Sequence, residues 1–122
     1  MASTADDMLQ VFEQYYESLQ AADFERAADQ FTESVVYIHP PLYNDETHIR
    51  GRDSLLTYFK EIRGPTETRY HLERTVTGDD AVAGVGFVSG PEDDEPREYF
   101  VSYAAFRDAR IEYYIGGLLG LS

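Results

Sequence analysis

Residues 8–41 read MLQVFEQYYESLQAADFERAADQFTESVVYIHPP, and the spacing of apolar residues changes once along this stretch. In its first part, apolar residues such as Phe12 and Leu19 recur every three or four positions. That spacing predicts an amphipathic helix over about residues 4–21. Residues 35–39 are β-branched and aromatic and stop at a pair of prolines, which is typical of a strand. The stretch therefore predicts helical structure that gives way to a sheet.

Two further helices are predicted around this first strand. Asp23 can cap a short second helix with Phe31 on its apolar face, and Ser34 marks the change to strand spacing. Residues 42–50 are polar and are expected to form a loop, and a third helix is expected over residues 52–63. The inward residues of that third helix are predicted to be Leu55, Phe59 and Ile62.

The rest of the chain has the character of strands joined by hairpin turns. Residues 78–80 and 108–109 are predicted tight turns, and residues 90–96 a longer acidic loop. Helices first and a meander afterwards predict an α+β domain, in the order α-α-β-α-β-β-β-β, with three helices on the concave side of a curved antiparallel or mixed sheet. The four late strands are expected at about residues 67–77, 81–89, 97–107 and 110–115. Buried residues are expected to include Phe12, Leu19, Phe31, Leu55, Phe59, Phe100 and Phe106.

Length and composition limit the class of protein. A chain of 122 residues with 43% hydrophobic residues is expected to form one domain, 1–122. The absence of cysteine excludes disulfides, thiolate metal sites and a cysteine nucleophile. No run of 18 apolar residues and no signal-peptide pattern occurs, so we expect no membrane association and a cytoplasmic location.

Charge is the second strong feature of the composition. Asp and Glu number 23 against 10 Lys and Arg, for a net charge of −13, and Lys60 is the single lysine. This composition fits a halophile, whose salt-rich cytoplasm screens self-repulsion, and it also fits an ordinary acidic protein. No cluster of basic residues is present to displace the counterions of nucleic acid, so nucleic-acid binding is not expected.

The strand at residues 97–107 is apolar on both faces. Phe100, Ser102, Ala104 and Phe106 alternate with Tyr99, Val101, Tyr103 and Ala105. A sheet covered on one side by helices normally shows polar residues on its other face. We therefore expect a homodimer through the outer face, at Tyr99, Val101 and Tyr103; the alternative is that residues 117–121 fold over this face.

Three motifs carry a family resemblance: YxxLxxxDF at 16–24, VVYxHP at 35–40 and GRDxLxxYF at 51–59. In this order they resemble the nuclear-transport-factor-2-like superfamily, which includes SnoaL-like polyketide cyclases and ketosteroid isomerases. The resemblance covers nearly the whole chain and implies a cystatin-like fold, in which a curved sheet forms a cone around a small-molecule pocket.

The resemblance also suggests catalytic residues. Tyr15 falls where ketosteroid isomerases keep a tyrosine that holds an oxyanion, and His39 falls where they keep an aspartate general base. Their second oxyanion donor, a carboxylic acid, falls near Ser102, where no acid is present. The late-strand aspartate of SnoaL-like cyclases is also not evident in residues 114–117. The sequence thus departs from the family at positions that steroid isomerisation and cyclisation use.

The residues themselves support a pocket and leave alternatives open. An unperturbed imidazole titrates near about 6.5, so His39 can shuttle a proton if it faces the pocket; otherwise it bonds a backbone carbonyl or water. Tyr15 lies on the buried stripe and either donates into a cavity or bonds another core group, whereas Tyr16 is expected to point elsewhere. The secondary pocket candidates are Tyr37, Tyr58, Tyr70, Ser102 and Glu112, of which Glu112 can act as an acid or orient His39.

Two readings follow from these patterns. In the first, the domain binds a small apolar carbonyl compound and acts as an isomerase, cyclase or lyase, with His39 moving a proton and Tyr15 holding the oxygen. In the second, it is a non-catalytic dimeric ligand-binding or accessory domain. The histidines show no metal-binding spacing and no dinucleotide or phosphate motif occurs, so neither reading uses a metal or a cofactor.

Overall fold

The first two helices form a hairpin over one face of the sheet. In the computed structural model, which describes residues 4–42 and 45–120, α1 spans Ala5–Gln20 and α2 spans Phe24–Asp29. The hydroxyl of Thr4 caps α1 by accepting from the amide of Asp7 at 3.1 Å, and the Asp23 carboxylate caps α2. The predicted boundaries of α1 are therefore correct to within one residue at each end.

Six strands form one mixed sheet that curls without closing. Their order across the sheet is β2-β1-β6-β5-β4-β3; β1 and β6 run parallel and every other neighbouring pair is antiparallel. The predicted α+β class and curved mixed sheet are confirmed. The strands are β1 Phe31–Ile38, β2 His48–Arg50, β3 Arg69–Thr77, β4 Ala81–Ser89, β5 Glu98–Arg107 and β6 Arg110–Gly120.

Three strand predictions need correction. Phe31, predicted in the second helix, begins β1, because the chain there pairs with β6: the amide of Ile111 donates to the carbonyl of Gln30 at 2.8 Å. Part of the expected loop is β2, which pairs with β1 although it is only three residues long. The element order is therefore α-α-β-β-α-β-β-β-β. Residues 117–120 continue β6 beside β5 and do not fold over the outer face; Leu121 lies outside the described residues.

The third helix changes its winding halfway along. It is α-helical over Arg52–Thr57 (α3) and then becomes a π-helix over Tyr58–Arg63, where the amide of Gly64 donates to the carbonyl of Phe59. The wider i→i+5 turn holds one extra residue, so the inward position moves from Ile62 to Arg63. Ile62 is consequently 39% exposed and Arg63 is buried, which corrects the prediction that Ile62 faces inward.

The core lies between the helices and the inner face of the sheet. Glycine at position 84 lets α1 approach β4 closely, because a Cβ there would lie 2.9 Å from the Phe12 ring. The tight β5–β6 turn is confirmed: Asp108 and Ala109 both have positive φ, as a two-residue hairpin of the I′ type requires. All seven residues predicted to be buried are in the core: Phe12, Leu19, Phe31, Leu55, Phe59, Phe100 and Phe106.

The two faces of β5 differ as its alternation predicts. Ser102 and Phe106 are buried, whereas Tyr99, Val101 and Tyr103 are 39, 49 and 42% exposed. An apolar outer face is therefore present in the single chain. Within the two ranges that the structure describes, no helix is long and apolar enough to cross a membrane.

Candidate functional site

A partly open cavity of about 100 Å³ lies between α1, the π-helix and the inner face of the sheet. Its volume is smaller than the about 150 Å³ of a dry cavity that accommodates a benzene ring, so a ligand of that size would extend into its open side. Half of the residues that line it are apolar or glycine, for example Leu19, Phe100 and Gly116. The other half consists of polar or hydroxyl-bearing residues: Tyr15, Tyr16, Tyr37, His39, Tyr58, Arg63, Tyr70 and Tyr114.

His39 is held at the cavity wall by its own backbone neighbourhood. It directly follows β1, and its amide donates to the carbonyl of Thr47 at 3.0 Å. Its Nδ1 lies 2.7 Å from the carbonyl oxygen of Pro40, which can only accept, so Nδ1 carries the proton. Nε2 is therefore the nitrogen with the lone pair; it is buried and has no hydrogen-bond partner among the described residues.

The ionisation of His39 suits a base. Burial lowers its pKa below the usual 6.5, an effect that the bond to Pro40 and the charge of Glu46 partly oppose. The imidazole is thus neutral at pH 7. The ring of Tyr58 covers it at a centroid distance of 4.5 Å. A neutral imidazole with an unpartnered lone pair is the arrangement that a proton acceptor needs.

Four tyrosines from α1, β1 and β6 form a buried hydroxyl network beside His39. The hydroxyls of Tyr15 and Tyr37 bond to each other. The Tyr16 hydroxyl bonds Ser102 Oγ at 2.6 Å and the Tyr114 hydroxyl at 2.9 Å. The rings of Tyr37 and Tyr114 stack at 4.8 Å, so the two bonded groups are packed together.

Burial keeps these hydroxyls protonated. Loss of hydration raises the pKa of Tyr16 to about 12 and raises the pKa values of Tyr15, Tyr37 and Tyr114 further. All four therefore retain an O–H at neutral pH. Tyr15 and Tyr37 share two O–H groups and use one between themselves; Tyr15 also has a hydrogen-bonding interaction with Tyr114, so the second O–H can donate to a neighbouring tyrosine or to a ligand oxygen.

A second polar group lies on the wall formed by the π-helix and β3. The Arg63 side chain, 8% exposed, donates to the Tyr70 hydroxyl at 2.7 Å, to the Gly64 carbonyl at 3.1 Å and to Thr66 Oγ1 at 3.5 Å. This places a guanidinium group at the lining of the cavity.

The structure brings most of the predicted site residues together. Tyr15 and His39 both line the cavity, and so do Tyr37, Tyr58 and Tyr70. Ser102 lies behind Tyr16 and is bonded to it. Glu112 is a correction: it lies beside the β5–β6 turn and pairs with Arg107 at 3.2 Å, so it neither lines the cavity nor orients His39.

Three of the polar residues that line the cavity were not predicted. Tyr16 was expected to point elsewhere, but it is buried and lines the cavity, because the sheet curls around α1 and buries a face wider than one stripe. The sequence marks Tyr114 only through the alternation of β6, and every inward residue of that strand has the same alternation. Alternation therefore does not distinguish Tyr114 as a site residue. The inward position of Arg63 depends on the π turn, for which the sequence carries no local signal. Across the described part of the chain, no group of three or more His, Cys, Asp or Glu residues could hold a metal ion.

Comparison with known proteins agrees with the fold. Residues 12–114 match the model of the SnoaL-like domain. A search of curated proteins found no match. Among solved structures, a proposed ketosteroid isomerase from Kribbella flavida DSM 17836 is 17% identical with a TM-score of 0.77, over 97% of this chain and 82% of the other.

Two other similar structures have different described activities. An LEH-like epoxide hydrolase from M. tuberculosis is 16% identical with a TM-score of 0.74, over 93% of this chain and 84% of the other. A proposed polyketide cyclase from Sinorhizobium meliloti is 13% identical with a TM-score of 0.69, over 95% and 99%. The TM-scores of these three structures show a shared fold. By the match over residues 12–114, the chain belongs to the SnoaL-like domain family.

Proposed function

We propose that this domain binds a compact carbonyl compound and moves a proton at the carbon next to the carbonyl. His39 Nε2 takes the proton as the C–H bond breaks, and the electron pair moves onto the carbonyl oxygen as an enolate. The O–H that Tyr15 and Tyr37 do not use between themselves donates to that oxygen. The imidazolium then returns the proton to the same carbon or to another carbon of the enolate, which completes an exchange or an isomerisation.

The buried Nε2 of His39, which has no hydrogen-bond partner within residues 4–42 and 45–120, carries this proposal. Leaving a buried polar atom without a partner is costly, and such atoms in folded proteins call for an explanation. A ligand C–H placed against this nitrogen supplies one. The protonated tyrosines support the same assignment, because they put hydrogen-bond donors beside a base that burial keeps neutral.

Deuterium exchange into a small ketone tests the proposal. The wild type in D₂O should accelerate exchange of the methyl protons of 4-acetylbenzoate, followed by proton NMR. His39→Gln should lower the rate by about 10²- to 10⁴-fold and Tyr15→Phe by about 10²-fold or more. His48→Gln is the matched control, since His48 is exposed and does not line the cavity. Equal rates for wild type and His39→Gln would sink the proposal.

A ligand-binding domain without turnover is the second candidate. Ser102 favours it: where related isomerases have an acid, this chain has a hydroxyl already bonded to Tyr16. The same experiment separates the candidates, because binding of the ketone without exchange of its protons would select the second.

We also propose a homodimer through the outer face of the sheet. The exposed residues of β5, Tyr99, Val101 and Tyr103, form an apolar surface of the kind that another subunit covers. Replacing both Val101 and Tyr103 with Glu should give a monomer by sedimentation velocity in high salt. Val76→Glu is the control, because Val76 is 70% exposed on the edge strand β3. A monomeric wild type would contradict this assignment.

A further inference from the structure

The two ends of the cavity differ in polarity, and the polar end is the buried one. Tyr15, Tyr37, His39 and Tyr114, which supply the hydroxyls and the imidazole, are all buried. Within residues 4–42 and 45–120, the lining residues that reach solvent, apart from Tyr70, are apolar or glycine: Pro40, Leu42, Val101, Gly116, Gly117 and Leu118. Apolar groups gain from leaving water, so the open side favours the apolar part of a ligand.

Leu42 supplies an exposed apolar side chain on this open side. It is 55% exposed and lines the cavity. Its amide donates to the carbonyl of Pro40 at 2.8 Å, and the same carbonyl accepts from His39 Nδ1 at 2.7 Å. Pro40 and Pro41 both have a fixed φ, which limits the freedom of this turn. The turn that orients His39 therefore also fixes the position of Leu42.

The size of the cavity determines how much of a ligand lies inside it. Its volume of about 100 Å³ is less than a benzene ring needs. A carbonyl group placed at His39 and Tyr15 occupies the buried end, so the rest of a longer ligand leaves through the open side. There it meets Leu42 and Leu118, and Leu118 packs against the hydrophobic core.

We infer that the open side of the cavity is a subsite for an unbranched alkyl chain. The ligand is then a carbonyl compound whose carbonyl end is buried and whose chain lies against Leu42 and Leu118. Binding of the chain removes both its CH₂ groups and the exposed Leu42 side chain from water, and both changes are favourable. This inference deepens the proposed function and rests on it in placing the carbonyl group at His39 and Tyr15.

A series of methyl ketones of increasing length tests the chain subsite. 2-Butanone, 2-hexanone and 2-octanone share the same carbonyl end and differ only in the number of CH₂ groups. In NMR titrations of the wild type, the dissociation constant should fall about two- to fourfold for each added CH₂ group. Leu42→Asn replaces the leucine with a polar side chain of similar shape. It should reduce the total gain from 2-butanone to 2-octanone by about threefold or more.

Two control variants separate the subsite from general stickiness of the protein. Leu42→Met keeps an apolar side chain at the cavity and should retain the gain with chain length. Leu119→Asn makes the test substitution at a leucine that is 62% exposed and does not line the cavity, and it should leave the gain unchanged. Because Leu42 and Leu119 are both exposed, these variants should fold, and circular dichroism checks that they do.

Three outcomes overturn the inference: equal dissociation constants across the series, a gain that survives Leu42→Asn, or a gain that Leu119→Asn removes. The proton-transfer proposal fails separately. If the gain depends on Leu42 but His39→Gln exchanges the protons of 2-octanone as fast as the wild type, the chain subsite stands and the base does not. If the three ketones bind equally and exchange through His39, the base stands and the subsite does not. Binding of none of them contradicts both.

Discussion

Tyr16→Phe should destabilise this protein far more than the loss of one hydroxyl normally does. The Tyr16 hydroxyl is the common partner of Ser102 Oγ at 2.6 Å and the Tyr114 hydroxyl at 2.9 Å, and both partners are buried, at 2 and 4% exposure. Removing it breaks two bonds and leaves two buried groups short of a partner. Each such group costs about 1–3 kcal/mol, so the expected loss for the two groups is about 2–6 kcal/mol of unfolding free energy.

Urea unfolding followed by far-ultraviolet circular dichroism measures this loss. Ser102→Ala should cost less, about 1 kcal/mol, because Tyr16 keeps its bond to Tyr114. Tyr113→Phe is the matched control: its side chain is 36% exposed on the outer face of β6, and its replacement should change stability by less than about 0.5 kcal/mol. If Tyr16→Phe were as mild as Tyr113→Phe, the buried hydroxyl network described here would be wrong.

Three further predictions follow from burial, charge and packing. Burial lowers the pKa of His39 below 6.5, so on acidification the unfolded chain binds a proton before the folded chain does. The free energy of unfolding should therefore decrease as the pH is lowered from about 6.5, and it should decrease less in His39→Gln. Urea titrations between about pH 5 and 8 measure this decrease. With a net charge of −13, lowering the salt concentration should lower the melting temperature, and equal melting in low and molar salt would count against a halophilic origin. Gly84→Ala should cost about 1–3 kcal/mol in the same urea assay, since the added Cβ would lie 2.9 Å from Phe12 and from Leu72; no loss would show that α1 is not tightly packed there.

The sequence predicts the architecture well because the two hydrophobic periods are clear. The stripe of α1 and the alternation of β5 each report local geometry, and the seven residues predicted for the core are buried; Ile62, predicted to face inward, is exposed. The parts of the architecture that the sequence does not predict depend on the pairing of strands that are distant in the chain. The three residues of β2 have no strand signal of their own and become a strand because they bond to β1.

The site was predictable in part, mainly through the family resemblance. Tyr15 and His39 both line the cavity, as the resemblance implies, whereas the local patterns alone left other partners open for each of them. Arg63 and Glu112 were not predictable. The position of Arg63 depends on a change of helical winding. The position of Glu112 depends on how β6 pairs with β5 beside their turn, which places Glu112 next to Arg107. In both cases the residue type suggested a functional side chain. The direction in which that side chain points depends on structure that local sequence patterns do not report.

The tautomer and ionisation of His39 decide the central proposal most directly. A nitrogen-15 NMR spectrum of the imidazole, assigned with His39→Gln, should show a protonated Nδ1 and an unprotonated Nε2 at pH 7. Titration should place the pKa below 6.5, and adding 4-acetylbenzoate should shift the Nε2 resonance. A proton on Nε2 at pH 7, or an Nε2 resonance that the ketone does not move, would contradict the assignment of His39 as the base.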